Sequence, residues 1–139
     1  MSQGIQVNAG LALQDSSYVN GIASGNNASS ATLTAKAGGT QAAATPIPPS
    51  AMIVNIGTVV TAGDSVVLPF AIAGTFKLVF NSSATSCNIF GQVSNNRAVT
   101  PPAVDTINGT AGSTAYALAG GARVLFFCGA NGAWAALTG

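Results

Sequence analysis

Seven side chains in this 139-residue sequence carry a formal charge: Asp15, Lys36, Asp64, Lys77, Arg97, Asp105 and Arg123. Histidine and glutamate are absent. Acid–base chemistry would therefore fall to three aspartates far apart along the chain, and the usual imidazole and glutamate metal ligands are missing. Asp64 follows Gly63 and Asp105 precedes Thr106, positions where a carboxylate ordinarily caps a turn by accepting nearby backbone N–H groups. A serine nucleophile needs a base. Lys36 and Lys77 would serve only from a buried pocket, and neither stands in a Ser-x-x-Lys spacing. The segment Gly109-Thr110-Ala111-Gly112-Ser113-Thr114 has the glycines of a phosphate loop but no lysine and no helix to follow, so it reads as a turn. These features predict no catalytic, cofactor-binding or metal-binding residues, and a protein that is not an enzyme.

Binding chemistry is more open. Tyr18, Tyr116 and Trp134, with loop asparagines, are the residue types of a sugar-binding platform. The single tryptophan, near the C-terminus, is expected in the core instead, as large aromatics usually are. Asn27-Ala28-Ser29, Asn81-Ser82-Ser83 and Asn108-Gly109-Thr110 match the N-glycosylation pattern, which is frequent by chance in a chain rich in Asn, Ser and Thr. Cys87 and Cys128 are expected to be reduced and buried as small hydrophobes. The N-terminus lacks the basic and apolar regions of a secretory signal, so assembly in a cytoplasm is expected.

Charged residues are 5 % of the chain and the net charge is +1, against about 25 % charged residues in an ordinary soluble domain. Four scattered basic residues make no footprint for phosphates, which excludes nucleic acid and anionic membranes as partners. No run approaches the roughly 20 apolar residues of a membrane span. A surface of Ser, Thr, Asn and Ala without mixed charge is poorly suited to a free monomer. Much of it is expected to face other subunits.

The elements that would position these residues are short. Residues 1–44 are rich in Gly, Ala, Ser, Asn and Thr and read as an extended arm, which either lacks order of its own or becomes ordered on a neighbour. Within it, Ile5–Val7 with Leu11–Leu13, and Ala31–Ala35, alternate as strands that would add to the edge of a sheet. Thr45-Pro46-Ile47-Pro48-Pro49 stiffens the chain and marks the start of a compact β domain over 45–139. Met52–Ile56 and Ser65–Leu68, separated by Thr61-Ala62-Gly63-Asp64, predict a hairpin.

Phe76, Leu78 and Phe80 alternate with Lys77, Val79 and Asn81 in a half-buried strand, and Cys87–Gly91 returns as another. The connection after it carries Asn95, Asn96, Arg97, Pro101 and Pro102. Asn108-Gly109, Gly120-Gly121 and Asn131-Gly132 mark tight turns, Val124–Cys128 reads as a strand buried on both faces, and Ala133–Leu137 is the last strand. The segments beginning at Gly74 and Gly121 echo one another. The pattern predicts an all-β fold, a small antiparallel β-sandwich or barrel-like domain with an extended N-terminal arm.

Gln41 to Leu137, about seven tenths of the chain, resembles a module of structural proteins of tailed bacteriophages, including capsid decoration proteins. The matching stretches are Ala44-Thr45-Pro46, Ala62 to Pro69, the Gly74 strand ending in Asn81, Ile89-Phe90-Gly91, Asp105 to Gly109, and Phe127-Cys128 leading to Asn131-Gly132-Ala133-Trp134. The resemblance implies a virion protein without enzymatic activity. It would cement the capsid surface at junctions between major capsid subunits and self-associate as a dimer or trimer. A receptor- or carbohydrate-binding module on a fibre or head, or a tail or neck component, is the alternative.

Overall fold

A computed structural model of the chain describes residues 29–94 and 103–138. The expected strands at Ile5–Val7 and Leu11–Leu13, with Tyr18 and the whole 95–102 connection including Arg97, lie outside these residues. Among the described residues, the regular elements apart from one 3-10 turn at Gln41–Ala43 are strands. They are β1 (Ser29–Thr34), β2 (Thr45–Pro46), β3 (Ala51–Thr58), β4 (Ser65–Val67), β5 (Phe76–Asn81), β6 (Cys87–Phe90), β7 (Val93–Ser94), β8 (Ala103–Val104), β9 (Thr106–Ile107), β10 (Thr110–Ala111), β11 (Tyr116–Leu118), β12 (Arg123–Ala130) and β13 (Ala133–Thr138).

The all-β character holds, but the antiparallel sandwich or barrel does not. A seven-stranded sheet has the order β10-β9-β13-β12-β5-β3-β1, and a four-stranded sheet the order β11-β6-β4-β2. Both are mixed: β1, β3 and β5 run parallel in the first, and β2, β4 and β6 parallel in the second. The Thr61–Asp64 connection, expected to fold a hairpin, instead carries the chain to the opposite sheet, and so does the polar loop Ser82–Ser86 between β5 and β6. The pairs β1–β2, β3–β4 and β5–β6 are thus successive coils of a β-solenoid-like stack. Partners Ser30, Ile53 and Leu78 fall 23 and 25 residues apart, the spacing of a coil repeat. Parallel neighbours need a long crossover, and here the strand in the other sheet supplies it.

The stack then reverses. β11 and β12 run antiparallel to β6 and β5, and the Asn131-Gly132 turn returns β13 beside β12. The β9–β10 hairpin completes the edge, with Asn108 at φ 51° and Gly109 at φ 79°. The echoing segments at Gly74 and Gly121 are therefore β5 and β12, side by side with Phe76 opposite Phe127. β1 pairs with β3 along its length and Ala35 is buried in the core. Residues 29–44, placed in the arm on sequence, are integral to the coils.

The core lies between the two sheets. Val54, Val79 and Val124 form one rung across the large sheet, with Phe126, Cys128 and Trp134 beside it, facing Val66, Cys87, Ile89 and Leu118 of the small one. Strand β5 settles its orientation against its own hydrophobicity: Lys77, Val79 and Asn81 point inward, while Leu78 and Phe80 are exposed and Phe76 is partly so. A strand's alternation allows only one of the two sets inside. The polar pair wins because it ties down the turns at both ends of the core. The Lys77 ammonium donates to the carbonyls of Pro48 and Pro49 in the β2–β3 connection and of Ala51 at the start of β3. The Asn81 amide donates to Thr85, Leu118 and Ala119 at 2.8, 3.2 and 3.1 Å. Buried carbonyls without donors would cost about 1–3 kcal/mol each.

Candidate functional site

The turned strand leaves its apolar side outside. Across the outer face of the large sheet, Ile53, Leu78, Leu125 and Leu137 stand in one register row. Phe76 and Phe127 pair in the next row on one side, and Phe80 pairs with Arg123 on the other. Ile53 and Leu137 are 47 % and 55 % exposed, and Leu78, Phe80 and Phe127 nearly 40 %. β12, the middle strand of the seven, thus carries Val124, Phe126 and Cys128 on the core side and Leu125 and Phe127 on the outer side. The reading of this segment as buried on both faces holds on one side only.

Charge is scarce around this face. Among the described residues Asp64, Lys77 and Asp105 are buried, so Lys36 and Arg123 are the ionic side chains at the surface. Arg123 lies at one end of the apolar face. A contiguous apolar face of this breadth marks an interaction surface rather than a solvated one.

The residues singled out for chemistry are dispersed and engaged in structure. Asp64 accepts from the backbone N–H groups of Val60 and Thr61 at 3.1 and 3.0 Å, capping the β3–β4 connection as expected. The Asp105 carboxylate accepts from the distant Ala71 N–H at 2.7 Å, joining the β4–β5 connection to the segment before β9. No group of three or more His, Cys, Asp or Glu side chains comes together among the described residues, nor does any helix there have the length and apolarity to cross a membrane. The Gly109–Thr114 segment is a hairpin and turn. Asn81 is fully buried, so its glycosylation pattern is closed to modification in the folded chain.

Of the sugar-platform aromatics, Tyr116 and Trp134 are among the described residues, and they do not form an exposed stacking surface. Trp134 is 1 % exposed, and Tyr116 makes an edge-to-face contact with buried Phe126, ring centroids 5.4 Å apart. A depression of about 230 Å³ lies beside Tyr116, lined by Ile107, Asn108, Thr110, Thr114 and Ala115. The Asn108 side-chain oxygen Oδ1 there already accepts from Ala136 N–H at 2.8 Å. The single tryptophan is expected to emit at short wavelength, resist quenching by iodide, and show no response to mono- and oligosaccharides. Strong iodide quenching in the native state would contradict its burial.

Cys87 and Cys128 are both free and buried. Burial pushes the Cys87 thiol up to about 11, with the Asp64 charge adding to the shift and a backbone hydrogen bond from Val66 partly offsetting it. A group whose pKa is raised on folding stabilises the fold fully below its unfolded value. That contribution is lost as pH climbs through the folded value. The urea midpoint is therefore expected to fall between pH 9.0 and about 11, and Cys87→Ala to flatten that fall. Lys77 works in the opposite sense, because burial lowers its pKa and favours the fold as pH rises toward 10.5. A midpoint equally pH-sensitive in Cys87→Ala would refute the assignment to Cys87.

Reading strand by strand on sequence missed the outer face. The signal was present in two places: β12 is apolar at every position from Val124 to Cys128, and β5 sets Phe76, Leu78 and Phe80 on one side. No family model, curated protein or solved structure matches the chain.

Proposed function

We propose that this chain is a non-enzymatic structural subunit of a tailed-bacteriophage virion that binds at junctions between major capsid subunits and cements the shell. The observation that carries the assembly role is the apolar outer face of the large sheet, set in a surface with few charges. The particle and its site come from the sequence resemblance. Modest apolar contacts, worth roughly 25 cal/mol per Å² buried, become strong when several are linked on one lattice. The burial of Trp134 removes the main stacking surface from the carbohydrate-binding alternative.

The test is to titrate undecorated phage shells with the purified full-length chain, measuring bound copies and the temperature at which the shells release DNA. Saturable binding at a fixed ratio to the capsid protein, with a higher release temperature, is expected. Absence of saturable binding to shells would sink the cementing role.

A further inference from the structure

The outer face of the large sheet has the size, composition and charge placement to be covered by a second copy of itself. Its five long strands, β1, β3, β5, β12 and β13, are six to eight residues each. At about 4.8 Å between strands and 3.4 Å per residue they span roughly 500 Å² in projection. Side-chain relief brings that toward the ~800 Å² per partner of a stable pairwise interface. We propose that two copies pack these faces against each other about a two-fold axis running along the row Ile53–Leu78–Leu125–Leu137. The inference rests on the assembly part of the functional reading and deepens it by naming the partner and the face.

The orientation follows from Arg123. Rotation about an axis along the row keeps the order of strands and reverses their direction, so each β12 lies over its copy, antiparallel. Arg123 and Phe127 stand two residues to either side of Leu125. The guanidinium of one copy then meets the Phe127 ring of the other, a favourable cation–π pairing. The two Arg123 backbones stand about 14 Å apart along the strand direction, beyond the Debye length of ~8 Å at physiological salt. A two-fold axis parallel to the strands would instead bring both arginines to the same end. Phe76 and Phe80 face each other across the interface in the favoured arrangement, and sheets packed this way close at about 10 Å with interdigitated side chains.

Sedimentation equilibrium of the full-length chain is expected to give twice the 13.5 kDa chain mass. Leu125→Lys and Phe127→Arg should each raise the dimer dissociation constant at least a hundredfold. Val60→Lys and Ile72→Lys, exposed apolar positions outside this face, should leave it unchanged. Combining Phe127→Arg with Arg123→Glu should restore the dimer, because each new arginine then meets a glutamate of the other copy. That rescue excludes loss of folding as the cause. A full-length chain that stays monomeric, a dimer indifferent to Leu125→Lys, or a failed rescue overturns the proposal. A monomer that still saturates shells would overturn this interface alone, whereas a dimer of the predicted behaviour that ignores shells would overturn the cementing role alone.

Discussion

Gly112→Ala is expected to destabilise the fold by about 4 kcal/mol or more, lowering the melting midpoint by roughly 15 °C. A Cβ at this position would lie 2.2 Å from the Asp105 carbonyl oxygen, 2.6 Å from the Gly91 Cα and 2.9 Å from the Gly91 nitrogen. All are backbone atoms, so no side chain can swing aside. They are also bonded to one another: Gly91 N–H donates to the Gly112 carbonyl at 2.9 Å, and Gly112 N–H to the Asp105 carbonyl at 2.8 Å. The Gln41 amide reaches the carbonyls of both glycines from the β1–β2 connection. The end of β6, the segment before β9 and the loop after β10 thus cross at a point where only hydrogen atoms fit between them. Gly129→Ala is the control, since its Cβ meets nothing nearer than a Phe127 ring atom at 4.0 Å. Thermal melts of the two variants should separate widely. A Gly112→Ala protein melting within a few degrees of wild type would show that the crossing is looser than described.

Asn81→Leu is expected to cost about 3–5 kcal/mol in urea unfolding. The side chain is fully buried, and leucine keeps its branched outline but is larger, so the loss combines unmade hydrogen bonds with some overpacking. The amide serves three carbonyls, and its oxygen accepts from the Ser83 N–H and hydroxyl at 3.2 and 2.9 Å. Removing one member leaves the others buried and unpaired at about 1–3 kcal/mol each, partly recovered by relaxation and water. Ser83→Ala, which removes one hydroxyl from a partly buried position, should cost about 1 kcal/mol. Equal small losses for both variants would mean that the turns at this end of the core do not depend on Asn81.

The same residue explains why the orientation of β5 was not legible in the sequence. Hydrophobicity alone would turn Phe76, Leu78 and Phe80 inward. A buried lysine and asparagine are tolerated only when their partners are already in place, and those partners are carbonyls of Pro48, Pro49, Ala51, Thr85, Leu118 and Ala119. None but Thr85 is local to the strand. The apolar outer face follows from that arrangement, and with it the surface proposed for a second copy.

Local chemistry alone determined a good deal. Beta strands with little helix, the tight turns at Asn108-Gly109 and Asn131-Gly132, the Asp64 cap and the burial of Trp134, Cys87 and Cys128 all follow from propensity, turn stereochemistry and solvation acting over a few residues. Only the tertiary structure decided the rest. A strand, a polar turn and a strand are written alike whether the turn closes a hairpin or carries the chain to the opposite sheet. What separates them is whether each strand finds its partner next door or one coil away, as Ser30, Ile53 and Leu78 do. Which side of β5 faces the core is likewise a long-range matter, because distant turn carbonyls supply the hydrogen bonds that make burying Lys77 and Asn81 less costly than leaving those carbonyls unpaired.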